Sequence, residues 1–184
     1  MQLTAICVPG PEGRSIELRS PQRDDAGIML TFLRELLHES ADHLNAPANS
    51  YDGASVEHQA EDIERLGACE RDFFLSAFDD GRVVGNLLFN ATDVPVSRHC
   101  GQLALGVLQS HQGMGLASAL LGRCIDEATR LGIWNIRFTV RTYNQRAIAL
   151  YERHGFRRVG RLEGVARIGE AFVDEFLYQG VFGR

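Results

Sequence analysis

At 184 residues and 45% hydrophobic side chains, the chain has the size of one domain and enough apolar material for a sizeable core. Its formal charge of −5 argues against nucleic acid as the main partner, and all 19 basic residues are arginine, so no lysine exists for a nucleotide-triphosphatase P-loop. Cys7, Cys69, Cys100 and Cys124 lack Cys-x-x-Cys or Cys/His ligand spacing, which removes disulfide and zinc readings; no metal site is expected. With neither a signal peptide nor an apolar run of membrane length, a cytoplasmic protein without a membrane partner is expected.

Residues 1–13 form a Pro/Gly-rich lead expected to be loosely ordered, and 15–19 read as a first strand. Asp24 and Asp25 open a helix with apolar positions at 28, 29, 32, 33, 36 and 37, acid lying at its positive end. Residues 40–53 are polar and turn-rich, a loop, and 54–66 carry Val56, Ala60, Ile63 and Leu66 on one side of a second helix. Strands at 73–78 and 83–89 flank Asp79-Asp80-Gly81-Arg82, a hairpin signal. The run 103–108 reads as a buried strand. From Leu116 apolar residues recur at 116, 120, 124, 128 and 131, which is helical spacing and places Cys124 on the apolar side. A strand at 135–140 precedes a short helix capped by Asn144, apolar at 147, 148, 150 and 151, with Gly155 at its C′ position. Residues 164–170 read as a tail before a final alternating strand at 171–179. No repeat or domain boundary interrupts this order, so one domain over 1–184 is expected.

The chemistry concentrates at Gln112-Gly113-Met114-Gly115-Leu116-Ala117, where a strand meets a helix. The first N–H groups of a helix lack internal partners and its dipole makes that end positive, while glycines let phosphates approach the backbone. A phosphorylated cofactor is therefore expected at this turn. A dinucleotide fingerprint would place Ser118 at its third small position, yet 131–136 offer no Asp or Glu for a ribose.

Two motifs then make the chain resemble the GNAT superfamily of acyl-CoA-dependent N-acetyltransferases. Gln112, Gly115 and Ala117 match the family's Gln/Arg-x-x-Gly-x-Gly/Ala loop, and Asn144, Ala147, Leu150, Tyr151, Gly155 and Phe156 match its Asn-x-x-Ala-x-x-Leu-Tyr-x-x-x-Gly-Phe segment. The resemblance implies a mixed α/β (α+β) fold with one central, largely antiparallel mixed sheet flanked by helices on both faces. It implies acetyl-CoA as cofactor and transfer of acetyl to a primary amine by direct attack in a ternary complex. The cofactor would be held by Leu105, Val107, Gln112, Gly113, Met114, Gly115, Leu116, Ala117, Asn144 and Ala147. Leu105 and Val107 would act through main chain, the Val107 N–H facing the oxyanion, and Tyr151 would give a proton to the leaving sulfur. For Tyr151 the alternative is a core tyrosine with its hydroxyl bonded to backbone, and for Asn144 a simple N-cap.

Where many relatives carry a glutamate base, this chain has Gln102, which cannot take a proton. Substitutes are Glu39, Asp42, His43, Asp174 or Glu175; the last two point to opposite faces of a regular strand. Glu39, Asp42, Tyr51 and Asp52 give the acceptor side an acidic-aromatic character suited to a small cationic amine or a protein N-terminus. Alternatives are a ping-pong route through Cys100 or Cys124 and a degenerate acyl-CoA sensor or partner module. Homodimers are common in such folds.

Overall fold

The computed structural model describes residues 1–10, 13–44 and 46–184. The strands are β1 (Ile6–Pro9), β2 (Ser15–Arg19), β3 (Phe73–Asp79), β4 (Arg82–Ala91), β5 (Cys100–Val107), β6 (Asn135–Arg141), β7 (Arg157–Ile168) and β8 (Ala171–Val181). The helices are α1 (Ala26–Ser40), α2 (Val56–Ala68), α3 (Leu116–Arg130) and α4 (Gln145–Arg153). Among the described residues the strands form one eight-stranded sheet in the order β1-β2-β3-β4-β5-β6-β8-β7. Every junction is antiparallel except β5–β6.

Local chemistry sets most element ends. Asp80 and Gly81 both take positive φ, 48° and 75°, as a two-residue turn matching strand twist requires. Ser55 caps α2 by accepting from the His58 N–H at 3.1 Å. Asp25 is used differently from expectation: its carboxylate accepts from Arg19 at 2.6 and 3.0 Å and from the Gln22 N–H at 2.7 Å, fixing the turn that feeds α1.

Side-chain alternation along the strands divides the core in two. On one face Ala26, Met29, Phe32 and Leu36 of α1 and Ala60 and Ile63 of α2 pack on Phe78, Val83 and Leu108. On the other, α3 and α4 bring Leu116, Leu120, Leu121, Cys124, Ile148 and Tyr151 against Phe73, Leu75, Leu87, Phe89 and Phe138. Full burial of each such Leu or Phe contributes about 1.5–3 kcal/mol before entropy is counted. Helices therefore cover both faces, as the resemblance implied.

Two expectations are corrected. The lead is not loose throughout: Ile6–Pro9 pairs with β2 from Ile6↔Leu18 to Pro9↔Ser15. Pro9 closes β1, and the Gly10 N–H beyond it donates to Arg14 O at 2.8 Å; Pro11 and Glu12 lie outside the described residues. The expected tail at 164–170 is instead largely strand, because a bulge between Leu162 and Ala166 absorbs the extra residues, with Gly164 at φ 59°, and pairing with β8 resumes to Ile168↔Ala171.

Candidate active site

The site originates in a pairing that stops early. β5 and β6 are neighbours only from Cys100↔Asn135 to Gln102↔Arg137, although β5 runs to Val107 and β6 to Arg141. β4 keeps β5 through Val107 and β8 keeps β6 through Arg141, so the two strands separate like a V. The Leu108 N–H donates to Val84 O at 3.0 Å. By antiparallel alternation, the N–H and C=O of Leu105 and Val107 then face away from β4, into the opening.

At the top of β5 the chain turns through Gly113 (φ 84°) and Gly115 (φ 81°) into α3. Nothing lies within 4 Å of where a Gly115 side chain would begin, so backbone conformation demands the glycine and the space outside it stays open. The first bond inside the helix runs from the Ala119 N–H to Gly115 O at 3.0 Å, which leaves the N–H groups of Leu116, Ala117 and Ser118 for a ligand.

A cleft of about 1070 Å³ joins these parts. Leu105, Val107, Gln112, Gly113, Gly115, Leu116, Ala117, Asn144, Ala147 and Tyr151 all line it. Met114, between Gly113 and Gly115, is not among the lining residues, and its side chain is exposed. Leu116 and Val107 are buried in the core, so they reach the cleft mainly as backbone. Gln112 works as a brace. Its Nε2 donates to Val107 O at 2.9 Å and its Oε1 accepts from Arg146. Asn144 is an N-cap, its Oδ1 accepting from the Ala147 N–H at 3.1 Å, which leaves only its NH2 free to reach a ligand.

Tyr151 sits on the inner face of α4 with its ring centroid 4.2 Å from that of Phe138 and edge-on to Phe156. The residue is 7% exposed, yet among the described residues its hydroxyl makes no hydrogen bond, so the backbone-bonded alternative does not hold. Burial pushes the phenol up to about 12. Full proton transfer to a thiolate of ordinary pKa, about 8.5, would then be uphill by roughly 5 kcal/mol at 1.36 kcal/mol per unit. The phenol therefore stays protonated throughout the neutral range and can act as a donor while the C–S bond is breaking.

The base candidates divide clearly. Asp174 accepts from the Gly164 N–H at 2.8 Å and from Arg161, which together hold its carboxyl below the usual range. Glu175 is buried in an ion pair with Arg141. Neither lines the cleft, and Asp42 does not either. Glu39, His43 and Gln102 do. Cys100 and Cys124 are buried away from it, and burial pushes the Cys124 thiol up, so the route through either cysteine finds no thiolate at the cleft.

Three lining residues were not anticipated: His111, whose Nε2 lies 3.0 Å from Asp79 Oδ2; Arg146; and His154, whose Nε2 lies 2.6 Å from Ser118 Oγ; Arg153, from an arginine patch expected either as a solvated face or as an attraction for an anionic cofactor, lines it too. Burial and the neighbouring Arg153 lower the His154 pKa, favouring the neutral ring. His154 was findable, because 147, 151 and 154 share one helical face.

The acetyltransferase (GNAT) family model matches residues 33–156, which hold both the glycine turn and α4. The chain belongs to the GNAT family. It is 29% identical to an acetyltransferase of the GNAT family from Streptococcus pneumoniae, with a TM-score of 0.84 over 91% of this chain and 99% of that one. A Salmonella typhimurium structure solved with its cofactor acetyl-CoA shares the fold at 20% identity, TM-score 0.77, over 92% of this chain and 95% of that one. "Probable N-acetyltransferase family 8 member 5" of Mus musculus is 30% identical over 145 residues, 78% of this GNAT chain and 63% of the mouse protein. The chain thus spans less than two thirds of the curated relatives it matches. No helix among the described residues is long and apolar enough to cross a membrane.

Proposed function

We propose that this GNAT protein transfers an acetyl group from acetyl-CoA to a primary amine by direct attack in a ternary complex. The observation that carries the reading is the V between β5 and β6, open beyond Gln102 and Arg137, with the glycine turn at its top. The residues present fit such a ligand. A cleft of about 1070 Å³ matches the upper range of small-molecule sites, roughly 300–1,000 Å³. The helix-start N–H groups, with Arg146 and Arg153 beside them, suit a pyrophosphate, each charge-assisted bond contributing about 1.5–3 kcal/mol. The Leu105 and Val107 main chain offers a strand edge to a pantetheine arm, and the Salmonella relative's cofactor supports the assignment.

Acetyl-CoA would supply an activated thioester carbonyl. Around it, the Val107 N–H donates where negative charge develops on oxygen. The Gln112 brace on Val107 O fixes the neighbouring Val107–Leu108 peptide and so the strand end that carries this donor. Tyr151 keeps its hydroxyl proton available to the departing sulfur. A homodimer is supported by the apolar side chains exposed on the β7–β8 ribbon, where Phe172 is 71% and Val159 52% exposed.

Thermal unfolding with acetyl-CoA, and NAD as control, tests the cofactor. Ligand at about 100 times its dissociation constant adds roughly 2.7 kcal/mol, raising the midpoint by about 5–10 °C for a domain of this size. No shift at millimolar acetyl-CoA would reject the reading. Gln102 supports a second reading, a non-catalytic acyl-CoA sensor, which binds acetyl-CoA but releases no thiol with any amine.

A further inference from the structure

Among the titratable side chains that line the cleft, most are already committed. Glu39 Oε2 accepts from the Gln109 N–H at 2.8 Å, which holds the carboxylate in place and leaves Oε1 to face a cation. His111 spends one ring nitrogen on Asp79 and the other, at 2.8 Å, on Ser110. His154 is bonded to Ser118 at the glycine-turn end. Gln102 cannot take a proton. His43 is different: it lines the cleft, is exposed, and among the described residues neither ring nitrogen has a hydrogen-bond partner.

Its position is fixed from both sides of the V. The residues after α1 reach across to the segment after β6, where the Tyr143 hydroxyl donates to Asp42 O and Arg141 donates to Leu44 O at 3.3 Å. The His43 ring lies 5.5 Å from that of Tyr143. The charged and titratable groups around it are Glu39 on α1, Asp42 beside it, and Tyr143 and Arg141 across the opening, the last neutralised by Glu175. Imidazole is the side chain whose ordinary titration lies near neutral pH, and an exposed ring can pass its proton to water.

The geometry points to His43 as the proton acceptor for the incoming amine, with the Glu39 carboxylate orienting the ammonium, and to an α-amine as the substrate class. This rests on the acetyl-transfer reading above. The ammonium gives one proton to a His43 ring nitrogen, which releases it to solvent. The freed lone pair forms the C–N bond as the thioester C–S bond breaks, and the nitrogen's second proton ends on the sulfur by way of the Tyr151 hydroxyl. The products are an amide, a free thiol and one released proton. The amine class follows from proton affinity. At pH 7 about a tenth to a sixth of an α-amine of ordinary pKa 7.7–8.0 is already neutral, against about 0.04% of an alkylamine near 10.4, so a single exposed proton acceptor serves the first far better.

The test is thiol release with saturating acetyl-CoA between pH 5.5 and 9, using a lysine-free peptide with a free N-terminus and, separately, Nα-acetyl-lysine amide. The peptide should be preferred by at least about 20-fold in kcat/KM. His43→Gln should lower its kcat/KM at pH 7 by about 20-fold or more, leave the acetyl-CoA dissociation constant unchanged, and alter the acid limb of the pH profile. Added imidazole should restore part of the rate. If His43→Gln keeps its rate within twofold with the same pH profile, or if the lysine side chain is the better acceptor, the assignment is wrong while acetyl transfer stands. No thiol release with either amine, acetyl-CoA still binding, would overturn both.

Discussion

Replacing Tyr151 by Phe separates packing from proton donation, because the ring supplies the first and the hydroxyl the second. The ring is enclosed by Phe138, Phe156 and Tyr178, and the hydroxyl has no protein partner to lose, so folding stability near neutral pH should change by less than about 0.5 kcal/mol. Catalysis should not be spared. Losing a positioned proton donor costs about 10²–10⁴ in rate, here toward the lower end because a phenol pushed up to about 12 is a weak acid for this task. Stability at high pH carries a second signature. The folded phenol titrates near 12 against about 10 when unfolded, so the protonated form favours the native state; that contribution is complete below pH 10 and is lost as pH rises toward 12. Two units correspond to roughly 2.7 kcal/mol. The variant lacks this loss and should overtake the parent protein between pH 10 and 12, with Tyr178 cancelling because both proteins keep it. Stopped-flow thiol release, acetyl-CoA titration and denaturant unfolding across pH are the assays. A variant retaining kcat within twofold would refute the donor role, and identical alkaline unfolding curves would refute the burial argument.

Gly115→Ala should destabilise the fold by about 1–2 kcal/mol through backbone conformation alone, since nothing crowds the new methyl group. Calorimetry should show a midpoint about 2–8 °C lower, with weaker acetyl-CoA binding; an unchanged midpoint would mean the turn relaxes out of its left-handed conformation. Arg141→Met leaves the buried Glu175 carboxylate unpaired and should cost about 3–5 kcal/mol. Adding Glu175→Leu should recover most of that loss in urea unfolding. A double variant as unstable as the single one would show that Arg141 matters for its bond to Leu44 rather than for its charge.

Local signals were readable wherever one stretch of chain settles its own conformation. Asp80-Gly81 fixes a turn by tolerance of positive φ, Ser55 and Asn144 satisfy helix-start N–H groups, and the apolar repeat from Leu116 needs only its own period to place Cys124 in the core. Composition misled where it averaged over a boundary: β1 is only four residues long, and the Pro/Gly signal that begins at its last residue, Pro9, masked it. At 164–170 the glycines that read as a tail serve a bulge and a hairpin end, a distinction that depends on β8 being alongside.

The cleft itself is the product of a competition no local pattern records. β5 and β6 are both apolar enough to continue pairing beyond Gln102 and Arg137, and what separates them is that β8 holds β6 in register to Arg141↔Glu175 while β4 holds β5 to Val107↔Gly85. Twist between neighbouring strands then carries the two ends apart. The acceptor end depends on partners still further apart in sequence: Asp42 and Leu44 meet Tyr143 and Arg141 across about a hundred residues. His43 alone in the sequence is one polar loop residue among several. Held against Tyr143 at the mouth of that V, with the ring nitrogens of His111 and His154 already bonded elsewhere, it becomes the imidazole left to accept a proton.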